Sequence, residues 1–542
     1  MKGDFARVTF DPARHYSQVF QQQGRVLLEA DWNEQGHIQL HLLRALVKDL
    51  IGPCWAPGTG FSIAGTSTDA NDKTTTLALT DWTLSPGHFY ADGILCELEQ
   101  SCTLSQQPYR PTPDYGIGDG KSGFENPPAQ YALWLDVWER HLCSLEAPSI
   151  ADVALDGVDT ASRAQVVWQV RLIDPARADK MLDDVTAALN LRLDAHAGDE
   201  NAIKQQLAKV AALRKQIDGS DTSGNNNDPC TLIRQVLQAR QTYACPRLVA
   251  GLGTVEGDDD PCVIAADARY RGCENQAYRV EIHQGGLAGG TAGATFKWSR
   301  ENGSVVFPIM GSAVPTTGPD GNGTLAVTLG RLGRDERLGL AVDDWVELVD
   351  DDYSLAQRAF PLLQVVAVDV ANRMATLRVP KGITPYAVSA SAAKHPLLRR
   401  WDQGDGANAQ GVVPVAEGDA IALEDGVEVT FDAGGLYATG DYWIVPARVA
   451  GGGTLDWPQA SGGPAMVRAR GLHHYAVLGV ADDNEDGYRE CCCRFEPLCS
   501  LIHTRTEKAD VVVAKTDTQA TKAVTKAPRV SKTGGTSKTG KP

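Results

Sequence analysis

His15-Tyr16-Ser17-Gln18-Val19-Phe20, a turn at Gly24, Arg25-Val26-Leu27-Leu28 and then Ala30-Asp31-Trp32-Asn33-Glu34 form the stretch from which the rest of the chain is read. The flanks of Gly24 have the texture of two short strands, which predicts a β-hairpin. Asp31 stands three residues before Glu34, the spacing of a capping box. A helix is expected there, with Asp31 accepting from its first N–H groups and Glu34 reaching back. Ile38, Leu42, Leu43, Leu46, Val47 and Leu50 follow at helical spacing, and Gly52-Pro53 stops the run. A hairpin leading into one amphipathic helix suits docking on a partner. Tyr16, Val19, Val26, Leu28, Trp32, Ile38, Leu42 and Leu46 are the expected docking residues.

Beyond residue 57 the texture changes to short β-type runs broken by Gly, Pro, Asp and Asn. Tyr131–Trp138 and Ala164–Ile173 are the strongest strands, and Trp134, Trp138 and Trp168 inside them are expected in the core. From Ala178 to Gly219 the apolar residues recur every three or four positions around Ala197-Gly198, which predicts an inserted helical hairpin. A shorter helix is expected over 232–242. Strand patterns resume from Cys245 and continue to about Ile502. The expected fold is therefore mainly β and multidomain, with an N-terminal amphipathic helix and the helical insertion. The expected divisions are 1–57, 58–177, 178–242, 243–395, 396–502 and a disordered Lys/Thr-rich tail, 503–542.

Composition narrows the function. The chain has 542 residues, 43% hydrophobic and 22% charged, as in ordinary soluble proteins. No apolar run is long enough for a bilayer, and the first residues lack the apolar region of a signal peptide, so a cytoplasmic protein without membrane insertion is expected. It would stay there or leave as part of an assembled or released particle. The net charge is −17; residues 504–542 hold nine Lys/Arg and three Asp/Glu, +6, which leaves −23 on the remainder. So acidic a surface repels nucleic acid.

Motifs for chemistry are weak. Tyr115–Ser122 lacks the first glycine of a phosphate loop. Asp482–Gly487 begins like a calcium loop, but its twelfth position is Cys493, so a surface turn is the better reading. Asp258–Asp260 and Asp350–Asp352 read as solvated acidic turns. Cys491, Cys492, Cys493 and Cys499, with His473-His474, have zinc chemistry but not zinc spacing. Reduced thiols, or disulfides within Cys96/Cys102, Cys262/Cys273 and the Cys491–Cys499 group, both remain open. There is no nucleophile elbow, metalloprotease signature or dinucleotide fingerprint. No catalytic residue, metal or cofactor is expected. Surplus Trp and carboxylates leave a carbohydrate-binding or carbohydrate-active protein as the alternative.

Several segments together resemble an uncharacterised bacterial protein family. They are Lys2-Gly3-Asp4-Phe5, Phe10-Asp11-Pro12, His15-Tyr16-Ser17, Gln22–Val26, Ala30–Gln35, Leu135–Arg140, Gly157–Thr160, Glu274–Glu281, Phe296–Gly303 and Thr439–Arg448. That resemblance implies kinship and no activity. Residues 15–50 are also similar to the start of phage tail and baseplate-associated proteins. This second likeness implies a structural, non-enzymatic part of a contractile-injection-type particle, with other subunits or further copies of itself as partners.

Overall fold

The computed structural model describes residues 1–68, 74–111, 124, 127–128, 130–155, 159–218, 228–253, 269–289, 293–312, 314–319, 321–404, 406–482 and 487–496. The phosphate-loop-like segment, Asp258–Asp260, Cys262, Cys499 and the basic tail lie outside them. The chain is mainly β and multidomain, with separate hydrophobic cores.

Strand Gln130–Leu142 is sandwiched between two of these cores, which is why it reads as a nearly unbroken apolar run. Its side chains alternate. Leu133, Leu135 and Val137 join Phe61, Phe89 and Trp168 on one face. Ala132 and Trp134 meet the helices on the other. It pairs antiparallel with Arg163–Ile173 and with His474–Asp482, a strand more than 300 residues later. The helices are Pro175–Asp194, Glu200–Ile217 and Pro229–Tyr243, with Asp174, Asp199 and Asp228 accepting from their first-turn N–H groups. The first two form the expected hairpin, reversed at Gly198, whose φ of 123° suits glycine.

Two further bodies complete the main unit. Strands Thr295–Ser299, Gln276–Gln284 and Tyr442–Arg448 belong to a five-stranded sheet that shares a core with Arg247–Leu252 and Val427–Phe431. The third body is a barrel. Val306–Ser312, Leu397–Trp401, Trp345–Val349, Leu363–Asp369, Met374–Val379 and Gly323–Leu329 pair in that order, and the first closes on the last. Closure removes the edges of the sheet.

The amino-terminal expectation needs correction. Residues 16–28 form no strand; the chain is extended and irregular, keeping only the turn at Gly24. No second strand lies alongside to accept its backbone bonds. The helix spans Glu29–Ile51 and starts earlier than the capping-box reading requires. Leu28 occupies the cap without a side-chain bond, so Asp31 lies inside the first turn, where its charge still favours the helix dipole. Glu34 instead accepts from Thr9 Oγ1 at 2.6 Å.

Cys230 and Cys491 are joined, with Cα atoms 5.4 Å apart, fastening the third helix of the insertion to the end of the chain's last long hairpin. Sequence spacing had not paired them, because 261 residues intervene. Closing so long a loop is worth up to about 5 kcal/mol in chain-entropy terms. Peptide mapping without reductant should recover the Cys230–Cys491 cross-link, and Cys230→Ser should lower the unfolding midpoint. Recovery of both cysteines as alkylated free thiols would contradict the pairing.

Candidate functional site

The amphipathic helix turns its apolar row outward. Leu43, Leu46 and Leu50, at spacings of three and four, lie on one face with Trp32 and Leu42, and all five are exposed. Trp32 is 80% and Leu46 55% exposed. The arm before the helix adds Tyr16, Phe20, Val26, Leu27 and Leu28, with Val26 81% exposed; Val19 is half-buried. Ile38 departs from the expected set. It borders the leucine row, four residues before Leu42, yet it is 1% exposed and, like Ala30, packs against its own chain.

The helix is tied to the body by Arg44–Glu139 and Lys48–Asp92, and the chain before it leads back to a buried polar centre. Glu281 and Lys297 face each other on paired strands of the five-stranded sheet, and Glu347 comes from the barrel. Lys297 bonds Glu347 and lies 3.5 Å from Glu281; all three are under 5% exposed. Glu347 also accepts from Trp401 Nε1 at 3.0 Å and Tyr353 Oη at 2.5 Å. Glu281 accepts from Arg279 Nε at 2.6 Å and pairs with Lys2 at 3.2 Å. Burial opposes ionisation of Glu347, but Lys297 and then Lys2 outweigh it and hold its carboxyl down at about 2. Burial pushes the Lys2 ammonium down to about 8, against the pull of Glu281.

The chain's first residues thread into this centre. Asn302 Nδ2 donates to the Met1 and Gly3 carbonyls at 3.2 and 2.9 Å, and Arg279 donates to Met1 at 3.0 Å. Phe5 meets His141 edge-on. Ala6 is gripped on both sides: its N–H donates to Glu29 Oε1, and its carbonyl accepts from Arg448 at 2.6 Å. Several of the residues involved come from segments quoted above for their resemblance, Lys2–Phe5, Glu274–Glu281, Phe296–Gly303 and Thr439–Arg448, while Glu347, Tyr353 and Trp401 come from outside them. Their convergence was invisible in sequence, because no two of these segments are neighbours. Glu301, in one of them, accepts from Arg337 Nε at 2.7 Å; burial, then Asp4 and Asp402, push its carboxyl up to about 7.

The remaining candidates read from the sequence resolve into structural parts. Asp350–Asp352 is not a solvated turn. Asp350 is 2% exposed, caps the helix Asp351–Ala356 and accepts from Tyr386 Oη at 2.6 Å, while Asp351 and Asp352 pair with Arg140 and Lys394. Partners supplied by distant segments made it buried. His473 and His474 are bonded to Asp136 and Asp92, and no cluster able to hold a metal occurs among the described residues. Asp482 and Gly487 pair across a hairpin, and 483–486 lie outside the described residues. Of the eleven Trp, Trp32 alone is exposed; Trp82 and Trp345 are half-buried and the others buried. No helix there is long and apolar enough to cross a membrane.

A family profile described as "Family of unknown function (DUF6519)" matches residues 1–541, and the chain belongs to that family. No curated protein gives a significant match. A solved structure described as "Crystal structure of TssK" is similar at 10% identity and a TM-score of 0.14, over 76% of this chain and 98% of that one.

Glu347→Gln tests the polar centre. It leaves Lys297 with only the more distant Glu281, and should cost about 3 kcal/mol at neutral pH. The folded carboxyl lies below its ordinary value of 4.5, so its contribution is complete above that pH and fades as pH falls toward 2. Denaturation of wild type and variant should therefore differ at pH 7 and converge in acid; a gap that persists unchanged below pH 3 would contradict this.

Proposed function

We propose that this chain is a non-enzymatic structural or adaptor component of a phage-tail-like, contractile-injection-type particle, docked through its N-terminal arm and helix. The observation that carries the reading is the row Trp32, Leu42, Leu43, Leu46 and Leu50, continued by Tyr16, Phe20, Val26 and Leu28, left exposed on one element. Large apolar side chains crowded on one exposed element mark interaction sites, because water around them is released on contact. The same arm is tied at its root by buried charges, so the exposed face is presented from a fixed base. An amphipathic helix of this kind fits a groove on another protein subunit, with Leu43, Leu46 and Leu50 as anchors. The tail-like setting follows from the similarity of residues 15–50 to the start of baseplate-associated proteins. Burial of most of the tryptophans favours this reading over the carbohydrate alternative.

Leu43→Asp with Leu46→Asp should leave the circular-dichroism spectrum and unfolding midpoint nearly unchanged, since both side chains are already in water. The same pair should abolish recovery of the chain with sedimented particles from the native host. Full incorporation of the double variant would refute the docking role.

A further inference from the structure

A cavity of about 160 Å³ lies where the strand Gln130–Leu142, the five-stranded sheet and the barrel meet. A single water needs only ~10–15 Å³. Six basic side chains line it, Arg140, Arg279 and Arg399 among them, against four glutamates, an excess of +2 in a chain whose net charge is −17. Four buried polar atoms on its wall have no hydrogen-bond partner among the described residues: Arg140 Nε, Arg399 Nε, His141 Nε2 and His283 Nδ1. Such atoms are nearly always satisfied in folded proteins, because leaving one without a partner forfeits its hydration.

Arg399 and His283 are each 5% exposed. Arg399 donates to the Gly303 carbonyl at 2.5 Å and has no carboxylate partner among the described residues, although Glu347 stands opposite it in register. Burial first, then Lys297, hold the His283 pKa down at about 3, so the ring is neutral. A neutral imidazole keeps one lone pair, which Nδ1, without a partner among the described residues, can present. The wall thus asks for a negatively charged oxygen at Arg399, an acceptor at Arg140 Nε, whose Nη2 already pairs with Glu146 and Asp351, and an O–H for His283. The cavity shares Lys2, His141, Arg399 and Tyr442 with a groove of about 1000 Å³ beside the N-terminal arm.

We propose that this cavity is a binding site for a phosphate group that retains or adjoins a hydroxyl, with Arg140 and Arg399 as donors and His283 as acceptor. Inorganic phosphate at neutral pH carries both charge and O–H; a small hydroxyl-bearing phosphomonoester offers the same chemistry. Sulfate has the charge and shape without the proton. Guanidinium donors give such oxyanions directional, charge-assisted bonds.

Calorimetric titration of the full chain with inorganic phosphate, glycerol phosphate and sulfate at matched ionic strength tests this. Phosphate or glycerol phosphate should bind saturably with one equivalent per chain, the tighter of the two identifying the source, and sulfate should bind at least about 10-fold more weakly. Arg399→Lys, which keeps the charge and removes the Nε–H, and His283→Leu should each weaken binding by a similar factor. Should either variant fail to fold, the comparison with sulfate on the unaltered chain decides alone. No saturable binding of either phosphate, equal binding of sulfate, or unchanged affinity in a folded Arg399→Lys variant would overturn the proposal.

Discussion

Lys297 sits between Glu281 and Glu347, and the arrangement of the molecule's central parts depends on that contact. An ammonium so far from water is tolerable only when counter-charges and hydrogen bonds surround it. Here one carboxylate comes from the neighbouring strand of the sheet and the other from the barrel. The pair therefore couples two bodies that each close their own hydrophobic core. Lys2 shares Glu281, which brings the chain's first residues into the same electrostatic unit. Hydrophobic burial supplies most of the folding free energy within each body, while the charges fix how these parts meet.

That fixing has a consequence for the helix Glu29–Ile51. With Glu29 bonded to the anchored Ala6, Arg44 paired with Glu139 and Lys48 with Asp92, the helix cannot roll freely to bury its leucines against the parent chain. Ala30 and Ile38 take up the inward face, and the leucine row is left in water. A free chain would gain stability by covering those side chains; leaving them exposed makes sense when a partner covers them. Structure and proposed role thus follow from the same anchoring.

Much of the fold was legible because its signals are local. Tyr131–Trp138 betrayed a doubly buried strand by its unbroken apolar run, and Gly198 marked the reversal of the helical hairpin. The leucine row could be read from spacing, but its exposure could not: Ile38, one turn before Leu42, is buried, since periodicity gives a helix's faces without saying which neighbour covers each. Val19 and Val26 have the strand propensity that predicts a hairpin before the helix, yet the arm joins no sheet among the described residues. Asp350 reads as solvated in sequence because its partners Tyr386 and Ser389 are nearly forty residues away. The polar centre was the least legible feature, assembled from residues between 1 and 442 with no shared spacing.

The most direct test is hydrogen–deuterium exchange of the intact chain beside a Glu281→Gln variant. Losing Glu281 removes the carboxylate shared by Lys2, Arg279 and Lys297. Faster exchange confined to residues 1–51 and the strands around 276–303, with the barrel strands 323–379 still protected, is the expected result. Unchanged protection of the first fifty residues would contradict the claim that buried charge anchors the arm.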